Sequence, residues 1–188
     1  VHPDAHRPQA VALQVLSEAE ALLNSPQSGF EVPAQVASIA SAIDPSVGNR
    51  LFAVAKARFD AAAAQRQETD EGPSVAKFAF YYSRRDPALS RKMLDAEFAR
   101  RQANLENAPP GVYAQEVSNM SRLAVAMVAI NPARALAMCR LIPSKKMDGH
   151  DNPPFVAQRD IALYLLLPER ERLVKPFRQW DPGSLWRA

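Results

Sequence analysis

Apolar positions recur along this chain at helical spacing and are interrupted at regular intervals by proline. Ala12, Val15, Leu16, Ala19, Leu22 and Leu23 share one face of a segment over residues 9–24, the i, i+3, i+4, i+7 pattern of an amphipathic helix. The stretch NSPQSGFEVP, residues 24–33, reads as a loop punctuated by Gly29 and two prolines. Val36, Ile39, Ala40 and Ile43 resume the helical pattern. Asp44-Pro45 breaks it, and Val47, Leu51, Val54, Ala55 and Phe59 carry it on to about residue 68.

The same sequence of events follows twice more. Val75, Phe78, Ala79 and Tyr82 lead to Asp86-Pro87, and Leu89, Met93, Leu94, Phe98 and Leu105 follow it; NAPPG, residues 107–111, is the loop. Met120, Leu123, Ala124 and Met127 lead to Asn131-Pro132, followed by Ala135, Met138, Cys139 and Ile142 and a longer loop over residues 143–154. A degraded fourth copy has Ile161, Tyr164 and Leu165 before Pro168 and Leu173, Phe177 and Trp180 after it, with Leu167 where Asp or Asn stood before. The prolines 45, 87, 132 and 168 are separated by 42, 45 and 36 residues.

Each break has a local cause. The residue before proline is pushed out of the α region, so the first helix stops. Asp or Asn at that position offers a side-chain oxygen to the free N–H groups of the next helix, and proline is at home at its first position. A short break of this kind makes an antiparallel helical hairpin. Asp44 is therefore read as a cap, not as a catalytic carboxylate.

The expected fold is all-α: an array of antiparallel helical hairpins, about nine helices and α-solenoid-like, with an irregular helical bundle as the alternative. A single repeat domain is expected over residues 9–180, with a flexible N-terminus over 1–8 and a C-terminal tail over 181–188. The stretches AIDPSVGNRLFAVAKARF, RRDPALSRKMLDAEF and AINPARALAMCRLI resemble the helical repeats of the HEAT and tetratricopeptide kind. A HEAT period of ~40–47 residues suits the first two spacings better than the 34-residue tetratricopeptide period, whose Trp-Leu-Gly-Tyr signature is absent. The resemblance implies a protein-binding surface and carries no catalytic residue over.

Composition agrees with helices. Of 188 residues only 6 are Gly, and the 16 prolines must then sit at helix boundaries. No stretch approaches ~18 consecutive apolar residues, so no membrane-spanning helix is expected. One cysteine, Cys139, gives no intrachain disulfide framework and fits the cytosol without excluding a periplasmic or secreted home. The chain opens at Val1 without Met or a signal-peptide pattern, which reads as processing or truncation.

Charge is uneven. Residues 1–75 carry 5 Lys/Arg against 9 Asp/Glu, and residues 76–188 carry 18 against 11. The basic pairs Arg84-Arg85, Arg91-Lys92, Arg100-Arg101 and Lys145-Lys146 never merge into the dense run of a nucleic-acid tail.

No catalytic, cofactor or metal site is readable in the sequence. His2 and His6 lie between prolines in a terminal segment, and His150 lies in a loop with too few ordered oxygen ligands for a hard cation. Cys139 falls on an apolar helix face, where a thiol is inert. No G-x-S-x-G, G-x-G-x-x-G or G-x-x-x-x-G-K-[ST] motif is present.

The expected function is a non-catalytic scaffold or adaptor that binds a protein or peptide, with an acidic partner suited to contacts at Tyr81, Arg84, Arg85, Arg91 and Lys92. One alternative is a nucleic-acid-binding array using the basic stripe of residues 84–101, where Asp86, Asp95 and Glu97 are interleaved with the cations. Another is a helical enzyme whose site has no sequence signature.

Overall fold

In the computed structural model, residues 7–23, 29–65, 72–144 and 153–166 are described. They form eight helices and no strand: α1 (Arg7–Leu23), α2 (Glu31–Ala40), α3 (Pro45–Gln65), α4 (Gly72–Tyr82), α5 (Pro87–Leu105), α6 (Pro110–Met127), α7 (Pro132–Leu141) and α8 (Pro153–Leu166). None is long and apolar enough to cross a membrane. The second helix of the fourth copy, the three histidines and the expected tail over 181–188 lie outside the described residues, as do all but Arg7 and Pro8 of the expected N-terminal segment. The chain divides into two compact units, within residues 1–69 and 70–188.

In the first unit α2 and α3 form a hairpin, with α1 touching α2. The loop expected up to residue 33 is shorter than that, because α2 starts at Glu31. Pro33 is its third residue, within the first turn where a missing N–H goes unused. The ring of Phe30 then meets Phe59 edge-on, with centroids 5.1 Å apart. Arg50 donates to both carboxylate oxygens of Glu20 at 2.8 and 3.1 Å, a bond that holds the Glu20 carboxyl below its ordinary value.

The second unit has two layers. In one, α6 packs between α4 and α8; in the other, α5 lies against α4 and α6, and α7 against α6 and α8. Phe80 of α4 reaches Tyr164 of α8, with ring centroids 5.9 Å apart, so the flanking helices meet across α6. Phe78, Leu94, Phe98, Met120, Leu123, Met127 and Met138 fill the space between the layers and are almost fully buried.

The three joints share one hydrogen-bond pattern. The carbonyl five residues before each proline accepts two N–H bonds, from Ile43 and Asp44 to Ala40, from Arg85 and Asp86 to Tyr82, and from Ile130 and Asn131 to Met127, all between 2.7 and 3.0 Å. The capping side chain then turns to the next helix. Asp44 Oδ1 accepts from Ser46 and Val47 N–H at 2.8 and 3.3 Å. Asp86 accepts from Leu89 N–H and Asn131 from Arg134 N–H, both at 2.9 Å. The backbone angles of Asp86 (φ −145°, ψ 87°) and Asn131 (φ −151°, ψ 95°) nearly coincide.

Aligned on these prolines, small residues stand where the helices come together. Eight positions before the proline are Ala37, Ala79 and Ala124, all fully buried, and three positions after it are Gly48, Ser90 and Ala135, also buried. A Cβ on Gly48 would lie 2.8 Å from the backbone N and Cα of Ser41, closer than carbon atoms pack, so at the first joint only glycine admits this approach.

Candidate functional site: a basic face on the fifth helix

The residues singled out in the sequence fall at the second joint and on the helix that follows it. Arg84 and Arg85 are exposed in the turn between α4 and α5. Arg91 and Lys92 are exposed one turn inside α5. With Ala88, Asp95 and Ala96 they line a shallow, open depression along that helix. The alanines leave the floor low, and the longer basic side chains stand beside it.

Tyr81 does not belong to this surface. It is 4% exposed, and its ring stands edge-on to Phe80 with centroids 5.4 Å apart. The reason is that α4 is covered on two sides, by α5 and by α6. Val75, Ala76, Phe78, Ala79, Phe80 and Tyr81 are all buried, so this short helix has little outward face.

Two carboxylates organise the cations around the face. Asp95 accepts from Arg134 of α7 at 2.8 Å and lies 3.6 Å from Arg91. It therefore ties α5 to α7 and steadies Arg91 from below. Glu97 accepts from Arg100 at 2.6 and 2.8 Å and from Arg101 at 2.7 Å. Burial alone would raise the Glu97 carboxyl, but the hydrogen bonds from Arg100 and Arg101 and their charges outweigh it and hold the group below its ordinary value.

Arg101 continues inward, 2% exposed, and donates from Nη1 to both oxygens of Glu116 on α6 at 3.0 and 3.1 Å. Asn104 adds a longer bond to Glu116 at 3.4 Å. This buried network, spanning α5 and α6, is not visible in the sequence, where AEFARRQANLEN looks like a solvated charged helix.

Among the described residues no group of three or more His, Cys, Asp or Glu is placed to hold a metal ion. Cys139 is buried, and its burial pushes the thiol up to about 11, so it is neither ionised near neutral pH nor accessible. Comparison with family models, curated proteins and solved structures finds no match to this chain.

Proposed function

We propose that this protein is a helical-repeat scaffold of the HEAT and tetratricopeptide kind that binds an acidic peptide segment of a partner protein, with Arg84, Arg85, Arg91 and Lys92 as contacts. The observation that carries the reading is the α5 face. Arg91 and Lys92 stand exposed beside Ala88 and Ala96, and Asp95, the one acidic residue among the described residues lining the depression, is already engaged by Arg134 and Arg91. The face presents excess positive charge over a low apolar floor, which suits a peptide carrying carboxylates beside small apolar side chains.

The repetition of the joint supports the scaffold part of the reading. Stacked hairpins with a common joint create an extended surface from successive helices.

The same charges favour a peptide over nucleic acid. Within the basic stripe of residues 84–101, Arg101 is buried against Glu116 and Glu97, and Arg100 is bound to Glu97. Those two cations are neutralised by the protein itself, and a run of free phosphate contacts along α5 is shortened accordingly.

The test is selection from a random peptide library, followed by titration of the enriched peptides and of a single-stranded RNA homopolymer at low and high salt. Enrichment of Asp- and Glu-rich peptides, with binding lost in the Arg91→Glu, Lys92→Glu double variant, is expected. Salt-sensitive RNA binding without peptide enrichment would assign the face to nucleic acid instead.

A further inference from the structure

A second basic group stands apart from the α5 face. Arg122 of α6 is half-buried, yet it makes no hydrogen bond or ion pair with any described residue. The contrast with its neighbours is sharp. Arg100, Arg101, Arg134 and Arg159, the other buried or half-buried arginines among the described residues of this unit, each have a carboxylate within 2.6 to 2.9 Å. Burial without a counter-charge draws the Arg122 guanidinium below its ordinary value, with no opposing contribution from any acid. A desolvated cation left alone is a cost to the fold.

Its position gives that cost a use. Gln115, Ser118 and Arg122 follow at i, i+3 and i+7 on α6, and none of them is buried. At ~100° per residue, Ser118 lies about 200° around the helix from Glu116, the residue that faces α5. The strip therefore lies on the side of α6 turned away from α5. The same helix is also packed by α4 and α8, whose Phe80 and Tyr164 meet edge-on.

We propose that Arg122 is a carboxylate-binding residue, receiving an Asp or Glu side chain of a partner peptide on the strip of α6 turned away from α5. Charge selects the occupant: a planar guanidinium with no acid beside it among the described residues takes a carboxylate in a paired, two-bond geometry. The kind of partner rests on the peptide reading above, but the face is a different one, and the two can fail separately.

The experiment uses a fluorescein-labelled peptide of alternating Glu and Leu, titrated by anisotropy at low and high salt against the wild-type chain and three variants. Arg122→Met keeps the aliphatic stem and removes the charge, Arg122→Lys keeps the charge and removes the fork, and Arg91→Glu with Lys92→Glu alters only the α5 face. The expected result is salt-sensitive binding to the wild type, weakened about tenfold or more in Arg122→Met and to a lesser degree in Arg122→Lys. The melting temperature of Arg122→Met should equal or exceed that of the wild type, because an uncompensated cation has been removed.

Wild-type-like affinity in Arg122→Met overturns the proposal, as does no binding to the wild type. Loss of the fold in Arg122→Met also overturns it, since Arg122 would then serve the structure. Loss of binding in the α5 double variant with unchanged binding in Arg122→Met sinks this inference and leaves the α5 reading standing; the reverse pattern does the opposite.

Discussion

Arg101 and Glu116 form a two-bond ion pair at 3.0 and 3.1 Å in the space between α5 and α6, with both side chains almost wholly removed from water. Counted from the joint proline, Arg101 stands 14 residues after Pro87, the place that Phe59 takes after Pro45. One hairpin thus fills this position with an aromatic ring and the other with a paired cation. The pair is incomplete, because the second terminal nitrogen of Arg101, Nη2, is buried without a partner.

Breaking such a pair from one side strands a charge, whereas replacing both members removes the desolvation cost along with the attraction. Glu116→Leu leaves Arg101 only Glu97, which Arg100 also uses, and is expected to destabilise by about 3 kcal/mol. The double variant Arg101→Met, Glu116→Leu is expected to recover most or all of that loss. Urea denaturation of the two single variants and the double variant measures both quantities.

The joints predict a similar response at each cap. Asp44, Asp86 and Asn131 each accept a backbone N–H at the start of a helix, and replacement by Ala should cost about 1 kcal/mol at each. Asp44→Ala should leave peptide binding intact, since its carboxylate is spent on the backbone. Loss of binding in a folded Asp44→Ala variant would show another role for that residue.

Three residues beyond the proline, the first two joints should respond in opposite directions. Gly48→Ala places a methyl against the Ser41 backbone, and overpacking of this kind costs about 1–3 kcal/mol. Ser90 at the equivalent place is fully buried, and its hydroxyl has no hydrogen-bond partner. Ser90→Ala removes that unsatisfied group and should be neutral or stabilising by up to about 1 kcal/mol. Thermal melts of the two variants side by side make the comparison.

Acid should weaken the second unit through Glu97. Its carboxyl is held below the ordinary 4.5 in the folded chain, so the folded state takes up this proton less readily than the unfolded one. The contribution is fully present above the unfolded value and is lost as pH falls through the folded one. Glu97→Gln should therefore be less stable than the wild type at neutral pH, with a flatter decline on acidification. Denaturation curves across the acid range test the sign.

The joints were readable because their chemistry is local. An Asp or Asn beside proline states the cap, the break and the new helix in two residues, and the three sets of bonds follow it. The close-approach positions were also present in the sequence, as Ala37, Ala79 and Ala124 and as Gly48, Ser90 and Ala135. They show only when the segments are aligned on the proline, since a lone alanine in a helix says nothing about packing.

What escaped depends on the neighbouring helix. Tyr81 next to two arginines looks like a surface ring until α5 and α6 cover α4 from two sides. Arg101 looks solvated until Glu116, 15 residues later, is folded back onto it. Arg122 carries no local signal, because its distinction is that no carboxylate among the described residues pairs with it.

The most direct test of the function proposed here is a backbone amide chemical-shift map of the isotopically labelled chain titrated with an acidic peptide taken from the library selection. Shifts are expected that saturate with peptide and cluster around Arg84, Arg85, Arg91 and Lys92 on α5 and its joint, and that vanish in the Arg91→Glu, Lys92→Glu variant. No saturable shifts, or shifts confined to α2 and α3, would contradict it.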